Sequence, residues 1–230
     1  MNIGGFQKVS LLDYPGKVAS VIFTNGCNFR CGFCHNPLLV LPPFFSRYKK
    51  EEILSYLSKR EGKIEAVVIT GGEPILQKDL LDFIKEIKKM NLLVKLDSNG
   101  YLPDSLRKII EFGGVDYLAM DIKAPLEKYP LVCGTPIEPV HIKTSIKLII
   151  QSGLSYEFRS TLVKGLHELS DIYEMAKLVQ GAELYYLQRF RAAPQMIDME
   201  FQNKKTFRFS TLREVAKDCE QWVKKCEVRE

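Results

Sequence analysis

Residues 24–37 read Thr24-Asn25-Gly26-Cys27-Asn28-Phe29-Arg30-Cys31-Gly32-Phe33-Cys34-His35-Asn36-Pro37 and directly follow an apolar, strand-like stretch. The segment holds three of the chain's six cysteines in a C-x3-C-x2-C arrangement. A [4Fe–4S] cluster has four irons, which are normally ligated by four cysteines. A compact triplet therefore leaves one iron open to a ligand that is not protein. The predicted metal ligands are Cys27, Cys31 and Cys34.

The spacing resembles the signature of the radical S-adenosylmethionine (SAM) superfamily, C-x3-C-x-aromatic-C, in which Phe33 supplies the aromatic residue. The resemblance implies that the open iron binds the amino and carboxylate groups of SAM. It also implies that one electron from the reduced cluster breaks a sulfonium bond and yields a 5′-deoxyadenosyl radical. On this interpretation no side chain acts as an acid or base.

Zinc is the competing interpretation of the same segment, because the three cysteines and His35 form a possible Cys3His set. Structural zinc sites usually take two ligands from each of two separate knuckles, whereas His35 follows Cys34 immediately. The spacing therefore favours iron and sulfide. A zinc-stabilised binding module without catalysis is the alternative from a different class of protein.

Composition limits the remaining classes. At 230 residues and 46% hydrophobic content, the chain can bury a full core as one domain over residues 1–230. The net charge of +5 comes from basic residues interleaved with acidic ones on predicted helices, which argues against a nucleic-acid partner. The longest apolar stretch, residues 38–45, contains two prolines and is too short to span a bilayer. We expect a cytoplasmic protein without a membrane partner.

Strand-like and helix-like patterns alternate along the chain, which predicts an α/β fold with a parallel sheet and right-handed crossovers. Periodicity does not distinguish a curved sheet from a flat, doubly wound one. The resemblance implies an incomplete (βα)6 TIM-type barrel with outer helices. The predicted strands are residues 18–23, 66–70, 93–97, 117–122, 157–162 and 184–188. The predicted helices are residues 49–60, 78–90, 104–112, 142–152, 169–180 and 212–224.

Polar residues follow the second and third predicted strands, where barrels of this type build active sites. Gly71, Gly72 and Glu73 resemble the family's GGE motif, whose carboxylate holds the ammonium group of SAM. The alternative is a tight strand-to-helix turn. Residues 97–100, Asp-Ser-Asn-Gly, are similar to the Asp-Thr-Asn-Gly of glycyl radical enzyme activases. That resemblance implies SAM binding by Asp97, Ser98 and Asn99, whereas the alternative is an Asn-Gly turn.

Three later strands contribute further candidates. Asp121 and Lys123 resemble the activases' Asp-Leu-Lys motif, although a surface salt bridge would also explain them. Arg159 lies in a stretch that resembles one in which an arginine binds SAM, although pairing with Glu157 would also satisfy it. The resemblance adds a monovalent cation near Asp97 and Asp121. Gln188 is the candidate for the adenine edge.

The other histidines and cysteines are assigned no role in catalysis. His141 and His167 are interpreted as surface or cap residues. Cys133, Cys219 and Cys226 are scattered along the chain, and the last two are interpreted as buried, apolar-like thiols.

Residues 34–37, Cys-His-Asn-Pro, look like the activase branch of the superfamily. Over nearly its whole length the chain resembles the activases of anaerobic ribonucleoside-triphosphate reductases. The implied reaction takes a hydrogen from a glycine of that partner enzyme and leaves a glycyl radical. The implied electron donor is a flavodoxin or ferredoxin. The alternatives are another glycyl radical enzyme or a small-molecule substrate.

Overall fold

A computed structural model describes residues 1–229, and these residues form two compact units. The first unit contains Met1–Asn28, Leu38–Ser98 and Asp104–Leu118. The second contains Phe29–Pro37, Asn99–Pro103 and the described part of Ala119–Glu230. The expectation of one domain over residues 1–230 stays a prediction.

The first unit is built on neighbouring strands that follow chain order. Strands β2, β3 and β4 are parallel, with Ser20 opposite Val67 and Val67 opposite Val94, whereas β1 is antiparallel to β2. β2 and β3 are almost entirely buried, as parallel strands covered on both faces are expected to be. The strands are β1 Ile3–Ser10, β2 Ala19–Thr24, β3 Ala66–Gly71, β4 Leu93–Ser98 and the start of β5 Tyr117–Asp121. The helices are α1 Pro37–Val40, α2 Lys50–Ser58, α3 Leu80–Lys88 and α4 Pro103–Phe112, with a 3-10 turn at Pro74–Leu76. The first residues of α1 and α4, Pro37 and Pro103, are counted with the second unit.

The second unit repeats the parallel pattern. The backbone N–H of Ile122, just after β5, donates to Arg159 O on β6, and β6, β7 and β8 are parallel neighbours. Phe158, Tyr185 and Leu187 are completely buried. The strands after β5 are β6 Ser155–Leu162, β7 Tyr185–Arg189 and β8 Cys226–Arg229. The helices are α5 Tyr129–Cys133, α6 Pro139–Ile150, α7 Leu169–Leu178 and α8 Phe209–Cys219, with 3-10 turns at Leu126–Lys128 and Met199–Asn203.

The six predicted strands and six predicted helices are all present, with ends that differ by a few residues. The last helix differs most, because α8 ends at Cys219 and not at residue 224. Residues 220–224 form turns in which Trp222 N–H donates to Cys219 O and Lys224 N–H donates to Ala182 O. These turns lead into β8, a strand that was not predicted from the sequence. The other unpredicted elements are β1, α1 and α5.

No helix within residues 1–229 combines the length and the apolar character that crossing a bilayer requires.

Candidate functional site

The loop after β3 packs main chain against main chain, which explains its two glycines. Gly71 has φ +116°, and an added Cβ there would lie 2.4 Å from Thr24 N. A Cβ on Gly72 would lie 2.0 Å from Gly26 O. Gly72 N–H donates to Thr24 O (2.8 Å), and Glu73 N–H donates to Gly26 O (2.7 Å). The glycines therefore fix this loop against the residues that immediately precede Cys27.

Glu73 is held in one orientation. Its side chain is 1% exposed, and its Oε1 accepts hydrogen bonds from the Ser98 hydroxyl (3.0 Å) and from Ile75 N–H (3.3 Å). Ser98 is the last residue of β4, so two predicted site residues from neighbouring strands are in direct contact. A buried carboxylate with fixed orientation suits a cationic ligand group.

Asp97 has a cationic partner on its own strand. Lys95 Nζ lies 3.2 Å from Asp97 Oδ1 and also donates to Asp13 O at 2.8 Å. Both side chains are nearly buried. Asp97, which the sequence analysis placed near a monovalent cation, is therefore already paired with a lysine.

The cysteine segment of the second unit is held by backbone hydrogen bonds. Cys34 N–H donates to Cys31 O (3.0 Å), which closes a tight turn. Asp198 N–H donates to Gly32 O (3.0 Å), and Ile197 N–H donates to Cys34 O (3.3 Å). These bonds fix the segment to the chain that precedes the 3-10 turn Met199–Asn203.

Phe33, the aromatic residue of the motif, is buried between two rings. Its centroid lies 6.4 Å from that of His167 and 6.1 Å from that of Phe201. Gly32 beside it leaves space for Phe201, whose Cε2 would lie 2.7 Å from an added Cβ. Phe33 therefore anchors the segment within this unit by packing.

A fourth cysteine lies beside this segment, and the sequence analysis did not predict it. Cys133, at the end of α5, is completely buried, and its backbone O accepts a hydrogen bond from Arg30 N–H (2.7 Å). The neighbouring Cys133 side chain lowers the pKa of Cys31, although burial opposes the shift. Burial raises the pKa of Cys34. All six cysteines are thiols and none is in a disulfide.

His35 contacts the residues that follow β7. Its ring lies 5.7 Å from that of Phe190 and is hydrogen-bonded to the backbone of Arg191. Burial lowers the pKa of His35. The structure therefore gives His35 a packing role, whereas the zinc interpretation requires it to be a metal ligand.

Asp121 joins two predicted site residues in one ion-pair network. Its Oδ2 accepts from Lys123 Nζ at 2.8 Å, and its Oδ1 accepts from Arg159 Nε. Burial alone would raise the pKa of Asp121, but the charges of Arg159 and Lys123 and the bonds they donate lower it well below its usual range. The same carboxylate raises the pKa of Lys123 against the effect of burial. Arg159 also lies 3.8 Å from Glu157, the partner that the sequence suggested.

The prediction for His167 is wrong, because this residue is completely buried. Its Nδ1 accepts from Val163 N–H at 3.0 Å, and its Nε2 lies 2.8 Å from Lys123 O. Since Nδ1 is the acceptor, Nε2 carries the proton and donates to that carbonyl. The sequence around His167 carries no signal that its ring is buried, and the fold shows the burial.

The contacts that the structure describes for Asn99 and Gln188 are with the protein's own chain. Asn99 Oδ1 accepts from Tyr101 N–H at 3.0 Å, which is the turn that the sequence offered as an alternative. Gln188 lies in β7 opposite Thr161 and Arg229 and is half-buried. Their assignment to SAM stays a prediction. Cys219 and Cys226 are both buried, which confirms their interpretation as buried thiols.

Comparison with known proteins adds relatives over most of the chain. A protein of Methanocaldococcus jannaschii, provisionally named a glycyl-radical enzyme activating enzyme, is 31% identical over 236 residues, covering 99% of this chain and 95% of its own. A 7-carboxy-7-deazaguanine synthase of Methanopyrus kandleri is 26% identical and covers 73% of this chain and 82% of its own. The pyruvate formate-lyase-activating enzyme of Clostridium pasteurianum is 29% identical over about half of each chain.

Solved structures show the same fold. Streptococcus suis SuiB bound to S-adenosylmethionine superposes with a TM-score of 0.71 at 13% identity over 91% of this chain. The chain spans 50% of the length of SuiB. The likeness confirms the predicted fold, a curved parallel α/β sheet of the partial TIM-barrel type. The family description of the radical SAM superfamily matches residues 21–179, and this chain belongs to that superfamily.

Proposed function

We propose that this chain is an activase of a glycyl radical enzyme. The observation that carries the proposal is the end-to-end match, at 31% identity, to a relative provisionally named for that activity. The local pattern Cys-His-Asn-Pro at residues 34–37 supports the same branch. We further propose the anaerobic ribonucleoside-triphosphate reductase as the partner, a flavodoxin or ferredoxin as the electron donor and the cytoplasm as the location.

Membership of the superfamily implies a [4Fe–4S] cluster and SAM. The donor chemistry fits both, because the three motif cysteines are not in disulfides and Glu73 is a buried carboxylate. We assign the three iron ligands to Cys27, Cys31 and Cys34, which are reduced thiols with the signature spacing. Cys, His, Asp and Glu side chains within residues 1–229 form no ready-made group of three or more metal ligands, so the assignment rests on the motif and the family. When bound, the cluster and SAM supply a 5′-deoxyadenosyl radical.

The protein side of SAM binding is assigned to two sets of residues. Glu73, oriented by Ser98, binds the ammonium group, and the backbone of Gly71 and Gly72 allows close approach. Lys123 and Arg159 offset the negative charge of the SAM carboxylate. Asp121 keeps both cations in place, which is a positioning role. The other proposed contacts are Phe33, Asp97, Asn99 and Gln188.

The two carboxylates proposed to bind a monovalent cation already form ion pairs with basic side chains of the protein. Asp97 lies opposite Lys95, and Asp121 lies opposite Lys123 and Arg159. A cation would have to displace or complement these partners. SAM affinity measured in sodium, potassium and a bulky organic cation tests the proposal, and equal affinities in all three would contradict it.

The activase proposal is tested by anaerobic incubation of the reduced, cluster-loaded protein with SAM and the candidate reductase. The expected result is a glycyl doublet in the electron paramagnetic resonance (EPR) spectrum, with one 5′-deoxyadenosine released per radical. Cys34→Ala is expected to abolish both signals, whereas Cys219→Ala, a buried cysteine outside the motif, is expected to keep them. No doublet with a competent partner, while 5′-deoxyadenosine still forms, would contradict the partner assignment.

A second candidate is supported by the relative named 7-carboxy-7-deazaguanine synthase, which covers 73% of this chain. That relative would make the substrate a small molecule. Incubation with the synthase's substrate and SAM, followed by mass spectrometry of the product, distinguishes the two candidates. Turnover of that substrate without a glycyl doublet would favour the synthase over the activase.

A further inference from the structure

We propose that Arg229 is a positioning residue for SAM binding: it pairs with the buried carboxylate of Glu157, which would otherwise neutralise the Arg159 guanidinium assigned to the SAM carboxylate. The inference rests on the proposed assignment of Arg159 to SAM, but not on the identity of the partner enzyme. All three residues lie in the second unit, on strands β6 and β8.

The carboxylate of Glu157 is shared unequally between two arginines. Its side chain is completely buried on β6. Arg229 donates from Nη1 to Oε1 and from Nη2 to Oε2, both at 3.0 Å, so the pair is bidentate. Arg159 Nη1 lies 3.8 Å from Oε1, which is beyond hydrogen-bond distance. Arg229 is therefore the stronger of the two partners, although Arg159 is only two residues from Glu157 on the same strand.

The register of the strands explains how β8 supplies this partner. Alternate residues of a strand point to one face, so Glu157 and Arg159 share a face of β6. Arg159 is opposite Tyr186 on β7, and Gln188, two residues further along β7, is opposite Arg229 on β8. The register therefore places Arg229 on that same face of the sheet. Its guanidinium carbon lies 3.2 Å from the centre of the Tyr186 ring, and this stacking orients the fork of donors.

Burial makes the choice of partner for Glu157 important. A buried carboxylate is costly without a cation, and weakly polar surroundings strengthen its attraction to the cations beside it. When the fork of Arg229 is removed, Arg159 remains beside Glu157 at 3.8 Å. The guanidinium of Arg159 already donates to Asp121 through Nε. A second carboxylate drawn onto it would repel the SAM carboxylate, because the two carry like charges.

The test is equilibrium binding of SAM to the cluster-loaded full chain under anaerobic conditions, without any partner enzyme. Arg229→Gln removes the fork and is expected to weaken SAM binding about tenfold, because Glu157 then opposes the carboxylate of the ligand. Adding Glu157→Gln to this variant removes the opposing charge and is expected to restore most of the wild-type affinity. Lys225→Gln is the matched control, because it removes one positive charge from an exposed ion pair directly before β8, and it is expected to keep the wild-type affinity.

Decarboxylated SAM distinguishes this role from a merely structural one, because it retains the sulfonium and the amine but has no carboxylate. Arg229→Gln is expected to bind this analogue as tightly as the wild type does, or more tightly. An equal loss of affinity for SAM and for the analogue would give Arg229 a structural role alone and overturn the inference. Unchanged SAM affinity in Arg229→Gln, or no recovery in the double variant, would also overturn it.

Glu157→Gln alone decides the matter if Arg229→Gln does not fold. Its SAM affinity is expected to exceed that of the wild type, because the competing carboxylate is gone and the charge of Arg229 remains. An equal or weaker affinity would overturn the inference. Wild-type protein that holds its cluster but binds no SAM would contradict the proposed function itself. That result differs from wild-type binding that the Arg229 and Glu157 variants leave unchanged, so the two failures are distinguished.

Discussion

The Ser98 hydroxyl lies 3.0 Å from Glu73 Oε1, so the end of β4 orients the carboxylate that follows β3. Neither residue is exposed to solvent to any large extent. The contact brings together the ends of two neighbouring strands, each of which carries one of the predicted motifs.

Replacing Ser98 with alanine is expected to weaken SAM binding about tenfold or more. A hydrogen bond to a charged group contributes about 1.5–3 kcal/mol, and without it Glu73 keeps only the longer bond from Ile75 N–H. The measurement is equilibrium binding of SAM to the cluster-loaded protein under anaerobic conditions. Ser98→Thr restores the hydroxyl and is the control. Wild-type affinity in Ser98→Ala would show that this hydrogen bond does not matter for SAM.

Gly72→Ala is expected to reduce the iron content per chain. The new Cβ would overlap Gly26 O, so the loop must move away from the residues that precede Cys27. Gly16→Ala is the control, because Gly16 has φ +70° with nothing within 4 Å of an added Cβ. That control is expected to cost about 1–2 kcal/mol in the free energy of unfolding, yet to keep its iron. Equal iron content in the two variants would contradict the role of the close approach.

The sequence predicted the βα units well because their strands carry their own signal. β2 and β3 are short, β-branched and buried on both faces, and such runs stand out without tertiary information. β8 was missed because Cys226–Arg229 is only four residues long and carries charges, so its strand conformation depends on pairing with β7. β1 contains two adjacent glycines, which weaken the strand pattern.

The site was predictable only where motifs lie close together in the sequence. Residues 27–34 and 71–73 are compact, and their spacing identifies them. Cys133 is about a hundred residues from Cys31, and its neighbours in the sequence contain no motif. The sequence around His167 likewise has no periodic pattern that would indicate a buried ring. The burial of both residues results from the tertiary packing of α5 and of the chain after β6, which cannot be predicted from local sequence patterns.

Asp121 is expected to make the stability of the protein depend on acid pH. Its pKa is lowered in the folded state, so its contribution is present above the unfolded value of about 3.9 and is lost as the pH falls through that value toward the folded pKa. Between about pH 6 and pH 3, the wild type should lose about 1 kcal/mol more than Asp121→Asn, because the unfolded chain, with a carboxyl pKa of about 3.9, takes up most of one proton over this range while folded Asp121 stays ionised. Urea unfolding of the metal-free chain measures the difference. Asp104→Asn, on the exposed side of α4, is the control, and a wild-type slope in Asp121→Asn would contradict the expectation.

Arg159→Met is expected to destabilise the chain, because it leaves Asp121 with one cation in place of two. Removing one member of a partly buried, hydrogen-bonded ion pair exposes the remaining charge to an environment that solvates it poorly. We expect a loss of about 1–3 kcal/mol in the free energy of unfolding at neutral pH. Urea unfolding measures this loss, and Arg107→Met on the exposed face of α4 is the control. Equal stabilities for the two variants would show that Lys123 alone suffices.

His167 is expected to titrate below its usual pKa of about 6.5, because burial disfavours the imidazolium and outweighs the groups that favour it. Protonation would place a hydrogen on Nδ1, which accepts from Val163 N–H, and would break that bond. The unfolded chain therefore takes up this proton first as the pH falls, so stability present near pH 7 is lost on acidification toward the folded pKa. Nitrogen-15 NMR of the metal-free chain should show the Nε2–H tautomer, with the signal assigned by its absence in His167→Gln. A midpoint at or above 6.5, or the Nδ1–H tautomer, would contradict the hydrogen bonds on which this expectation rests.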